Sequence, residues 1–188
     1  MYRDDGSQST SLVGAAGTAL ATRLAAAGAK ADLASRLEVC SWCLQPASAA
    51  DLLTKLAAPG LARLQIALDP IRENKGGAWS DFAGLCKRRG VACVSVTLGT
   101  VGEDDMTLDS IRCTGGVVPD ATWPETWRNI QADAEVAGRL GLGLVSFHAG
   151  FLPHEASDPT FTTLQARLRQ IANQCCRKVT PGVTSGKC

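Results

Sequence analysis

Two rhythms of hydrophobic residues alternate along the chain. Four short apolar runs are bounded by turn residues: Leu37–Leu44, Arg63–Leu68, Val91–Leu98 and Leu142–Phe147. Runs of this length read as strands buried on both faces of a sheet. Between and after them the apolar spacing becomes helical. Ser48 caps a helix, with Asp51 three residues on and Leu52, Leu53 and Leu56 on one face, ending near Pro59-Gly60. A second helix runs from about Ser80 to Arg89 on Phe82, Leu85 and Cys86, with Gly90 as its terminating residue. Thr122 and Pro124 begin a third, which carries Trp127, Ile130, Ala134 and Ala137 and ends at Leu140. Asp158 and Pro159 begin the last, with Phe161, Leu164, Leu168 and Ile171 inward. The pattern is strand then helix, four times. It predicts parallel pairing and right-handed crossovers, as an open sheet or half of an eight-stranded barrel.

The connection from Gly99 to Trp123 is long for a compact domain, and such connections usually carry function or are disordered; a short helix is expected inside it at Thr107–Arg112. Residues 1–36 read as an Ala-rich leader, weakly ordered or signal-like. Ser11–Thr22 resembles an export core, whereas Asp4, Asp5 and Arg23 fit one poorly, and the stretch is too short to span a membrane. The expected address is therefore the cytoplasm, with export as the alternative. The domain is placed at 37–172, and 173–188 is expected to be an irregular tail. A net charge of +1 and the lack of a basic stripe exclude nucleic acid as an expected partner. There is no Gly-rich phosphate or dinucleotide turn after any strand.

Candidate chemistry gathers where strands end, because ligands of parallel α/β folds bind at that face. His148 ends the fourth strand before Ala149-Gly150, and His154 and Glu155 lie in the loop beyond. Asp69 follows strand two, and Glu103, Asp104 and Asp105 follow strand three. With His148 these acids could form an oxygen-rich divalent site; solvated loop carboxylates are the alternative. Trp42 and Gln45 end strand one and could give a sugar an apolar wall and a hydrogen bond. Cys40 and Cys43 have the C-x-x-C spacing, but the strand pattern puts them on opposite faces rather than at a helix N-terminus.

Four stretches in order carry a resemblance: Ser41–Pro46 (SWCLQP), Gln65–Pro70 (QIALDP), Gly115–Asp120 (GGVVPD) and Phe147–Pro153 (FHAGFLP). Residues 37–172 resemble the first half of the sugar phosphate isomerase/epimerase family, in the xylose isomerase-like TIM barrel superfamily. The resemblance implies an α/β chain, a parallel (βα)4 half-barrel ending before a fifth strand. It implies relatives that move a proton next to a sugar carbonyl, with a divalent metal (Mn, Mg, Co or Zn) at the barrel mouth. The family's metal ligands and acid–base glutamates lie on strands five to eight, so only His148 carries over, as a pocket residue that binds metal in some relatives. The expectation is an isomerase/epimerase-like protein, inactive as this chain, with either a divalent metal held by His148, Asp69 and Glu103 or none, or else a non-catalytic sugar- or partner-binding half-barrel. The expected partner is a sugar or sugar phosphate, and open strand edges invite self-association.

Overall fold

The computed structural model describes residues 35–179. Contacts divide the chain after Leu37, and the fold described here belongs to the part from Glu38 onward. The leader expected at 1–36 lies, apart from its last two residues, outside the described residues. Among the described residues no helix is long and apolar enough to cross a membrane.

Four strands form one parallel sheet in sequence order: β1 (Val39–Cys40), β2 (Arg63–Ala67), β3 (Ala92–Leu98) and β4 (Val145–Phe147). The helices between them are α1 (Ser41–Leu44), α2 (Ala49–Ala57), α3 (Asp69–Glu73), α4 (Phe82–Arg89), α5 (Leu108–Thr114) and α6 (Trp123–Arg139), and α7 (Pro159–Val179) follows β4. The expected partial-barrel α/β fold is the observed one.

The sheet has two unlike faces, and strand register shows which residues share each. Ile66 pairs with Val96 and Val96 with Val145, while Leu98 pairs with Phe147. This apolar face, with Leu64 and Leu68, packs under Leu52, Leu53, Leu56, Phe82, Ile130 and Ala137. Each fully buried Leu or Ile there contributes about 1.5–3 kcal/mol. On the other face Gln65 pairs with Ser95, and Ala67 with Thr97, which pairs in turn with Ser146. The register shift at Leu64/Gln65 lets Val94 bulge, which turns Ser95 onto this polar face.

Local structure departs from the apolar pattern at three places. The first strand is only two residues, because Ser41–Leu44 turns into a helix closed by Gln45 in the left-handed region (φ 43°). The Ser41 hydroxyl accepts the Ala67 N–H at 2.8 Å, so a side chain replaces the next rung of the ladder. Cys40 and Cys43 therefore straddle a strand–helix junction instead of sharing a strand. Asp69-Pro70 does not merely close β2 but begins α3, with the proline in the first turn. The last helix does not stop at Ala172. It runs to Val179, with Gln174 buried, Lys178 ion-paired to Glu135 of α6 at 2.7 Å, and its backbone close against Gly138. The polar composition of 173–179 concealed a segment that packs through helix–helix approach.

The helix starts follow from sequence more directly. Ser48 Oγ accepts the Asp51 N–H at 3.2 Å, and the Asp51 carboxylate accepts from Ala47 at 2.9 Å. Thr107 and Ser110 form a reciprocal capping box at α5. Asp158 accepts the Thr160 N–H at 2.8 Å.

Candidate functional site

The long connection after β3 is well tied down. The Val101 N–H donates to Thr126 Oγ1 of α6 at 3.2 Å, and the Asp104 N–H to Thr114 Oγ1 of α5 at 2.9 Å. These anchors hold Glu103 between them. Farther along, Arg167 of α7 donates to the carbonyls of Val117 (2.9 Å) and Val118 (2.6 Å) and pairs with Asp120. Its guanidinium also lies 4.8 Å from the Trp123 ring centroid. One buried arginine thus fixes the loop Gly115–Asp120.

That loop meets the end of β4. Gly116 (φ 70°) packs so closely on Ala149-Gly150 that a Cβ there would run into the Gly150 nitrogen. The contact is why this pair of loops needs glycine. Its consequence is a dyad: His148 Nδ1 lies 2.6 Å from Glu103 Oε1, and the same oxygen accepts the Gly116 N–H at 2.6 Å. The carboxylate is held from two sides, and it fixes the imidazole through Nδ1. The His148 side chain is 48% exposed, and among the described residues nothing bonds its Nε2. A carboxylate accepting the Nδ1 proton leaves Nε2 as the free lone pair, available to a substrate hydroxyl or proton.

Below the dyad, the polar face of the sheet continues the site. Gln65 Nε2 donates to Ser146 Oγ at 3.1 Å, and Ser146 Oγ to the Val96 carbonyl at 3.1 Å. Ser95 Oγ is buried with no partner among the described residues. Gln65, Ser95, Thr97 and Ser146 were not singled out by sequence reading. Their signal was the period-2 placement of polar residues inside apolar runs, which parallel strands ordinarily lack.

The other predicted site residues are distributed differently. Asp69 reaches the rim, where its carboxylate covers Gly99, but it is committed to Arg72 at 2.7 Å. Arg72 in turn binds the fully buried Asp133 of α6 at 2.6 Å. Burial pushes the Asp133 carboxyl up to about 6, against the pull of Arg72. Burial alone would lower the Arg72 pKa, and the Asp133 and Asp69 carboxylates outweigh it and leave it raised. Trp42 and Gln45 are exposed on and just after α1, at the β1 edge of the sheet, whereas His148 follows β4 at the opposite edge. They do not adjoin the dyad along the sheet. His154 lines a separate cavity of about 280 Å³ with Arg112, Phe151 and Asp158.

The expected divalent site of Asp69, Glu103 and His148 is therefore not assembled. Among the described residues no three His, Cys, Asp or Glu side chains gather as a metal site. Glu103 and His148 offer two donors that bond each other, and the third is held by Arg72. The described donor set does not fit a divalent ion.

No family model matches the sequence, and no curated protein matches it. Among solved structures the chain is similar to the crystal structure of a xylose isomerase domain protein from Planctomyces limnophilus, with a TM-score of 0.57 and 19% identity. The alignment covers 64% of this chain and 43% of that one, so the chain spans less than half the length of that neighbour. The likeness shows a xylose isomerase-like fold.

Proposed function

We propose that this chain binds a sugar or sugar phosphate on the polar face of its sheet, and that His148 moves a proton next to the sugar carbonyl, as sugar isomerases and epimerases do. The observation that carries the reading is the 2.6 Å bond from His148 Nδ1 to Glu103 Oε1 at the end of β4. An imidazole oriented in this way is a general base through Nε2, with Glu103 stabilising the imidazolium that forms. Gln65, Ser95, Thr97 and Ser146 supply the hydroxyl and amide groups that sugar hydroxyls bond to, on one face of three adjacent strands. The fold shared with the xylose isomerase domain protein supports the substrate class.

A second reading is binding without turnover. It is favoured by the single acid–base dyad at this rim, since a complete isomerisation also needs a group acting on the sugar oxygens. One experiment separates the two. Aldoses, ketoses and their phosphates are incubated with the protein in D2O, and the carbon-bound proton next to the carbonyl is followed by NMR. Deuterium entry that the H148N variant lowers by about 100-fold or more is the expected result for general-base catalysis. Saturable binding with no deuterium entry supports the second reading. Neither binding nor exchange removes both.

A further inference from the structure

We propose that Cys86 and Cys93, at the end of the sheet opposite the rim, form a reversible disulfide site that fastens α4 to β3. Their sulfurs lie 3.8 Å apart, one on the helix and one on the strand it precedes. The geometry between them is fixed by the turn. Gly90 takes the left-handed conformation (φ 64°), and the Val91 N–H donates to the Cys86 carbonyl at 2.9 Å. The turn therefore directs the two side chains at each other across a short loop. A disulfide requires about 2.05 Å between sulfurs, so the contact has to shorten by about 1.8 Å to close the bond.

The second observation is access. A cavity of about 240 Å³ is lined by both cysteines together with Lys87, Val91, Leu140 and Leu142. The Cys93 thiol, hydrogen-bonded to Cys86, holds the Cys86 pKa below its ordinary value. The bond to Cys86, followed by burial, holds Cys93 above its own. Either sulfur can donate to the other, so the accepting one is the attacking thiol and its neighbour the resolving one.

The oxidant is a low-molecular-weight disulfide such as oxidised glutathione. One of the two cysteines attacks one of its sulfurs as the thiolate, breaking that S–S bond and releasing one small thiolate, which takes up a proton from solvent. The other cysteine then gives up its proton and attacks the sulfur of the mixed disulfide, releasing the second small thiolate, which takes up a proton. Two protein thiols are oxidised to one disulfide while one small disulfide is reduced to two thiols.

The test uses the full chain equilibrated over a series of reduced-to-oxidised glutathione ratios, alkylated and digested with trypsin. Lys87, Arg88 and Arg89 lie between the two cysteines, so they fall on separate peptides unless a bond joins them. The expected result is a linked peptide pair that grows to the greater part of the protein as the ratio becomes oxidising and disappears with dithiothreitol. C93S is expected to trap a glutathione adduct on Cys86, and C113S, which removes an exposed thiol, to leave the linked pair unchanged. Cys86 and Cys93 alkylated on separate peptides at every ratio would overturn the proposal. So would oxidation of the exposed Cys43 or Cys113 while this pair stays reduced.

Discussion

Two carboxylates stand near the C-terminal ends of neighbouring strands, and each is bound to a cation or potential cation. Asp69 follows β2 and Glu103 follows β3. Asp69 is joined to Arg72, which also pairs with Glu73 at 3.9 Å and with Asp133, buried on α6. Glu103 is joined to His148, whose side chain is half exposed and whose second nitrogen is free among the described residues. The first arrangement is a part-buried ionic clamp between α3 and α6, whose arginine is committed to carboxylates of this chain. The second spends one side of a histidine on orientation and leaves the other for chemistry. Similar residues at similar positions diverge because burial in one case fixes the partners and exposure in the other leaves a valence open.

The sharpest break in that comparison is R72M. It leaves the Asp133 carboxylate buried without its partner, and the expected loss is about 3–5 kcal/mol, read as a drop in urea midpoint. Next is G116A. The added Cβ collides with the Gly150 backbone at a positive φ and displaces the N–H that holds Glu103. It is expected to cost about 2–3 kcal/mol and to weaken sugar binding together with stability.

The clamp also has a pH signature. Asp133 sits at about 6 in the folded protein, above its ordinary unfolded value. Between about pH 4 and pH 6 the folded state then binds the extra proton, so this group's contribution is fully present below pH 4 and is lost as pH rises through about 6. The difference in unfolding free energy between wild type and D133N is expected to shift by about 2 kcal/mol over that window. A difference that stays flat from pH 4 to 7 would contradict the burial of an ionisable carboxyl there. The smallest effect on stability is expected from E103Q. Its partner His148 is half exposed, so the change should be about 1 kcal/mol or less by chemical denaturation. Deuterium exchange into sugar should nonetheless fall by about 10–100-fold, because the imidazole loses the group that orients it.

The sequence carried the strand–helix alternation clearly, because Leu52, Leu53, Leu56, Ile130 and Ile171 repeat at helical spacing and Val94, Val96 and Leu98 fill a strand. Boundaries failed where a side chain took over from the backbone. Ser41 ended β1 by accepting the Ala67 N–H, and nothing in SWCLQP announces a bond to a residue so far along the chain. The helix past Ala172 was hidden because its apolar stripe there continues only through Cys175, and the rest of its hold comes from backbone approach at Gly138 and the Lys178–Glu135 pair. For the site, His148 was legible from its place at a strand end, and Glu103 as an acid after the preceding strand. That Glu103 would meet His148 while Asp69 would not depends on Arg72, an arginine three residues beyond Asp69 whose second partner lies on α6. Pairings of that kind are settled by packing, not by local pattern.

The most direct test uses the fact that the chain has only two histidines, His148 and His154. Their ring resonances can be assigned from one variant and followed by NMR as sugar is added. The account predicts that the His148 ring shifts saturably, that His154 stays in place, and that E103Q weakens the effect. A titration that moves neither ring, or moves His154 alone, would contradict the His148–Glu103 dyad as the sugar site.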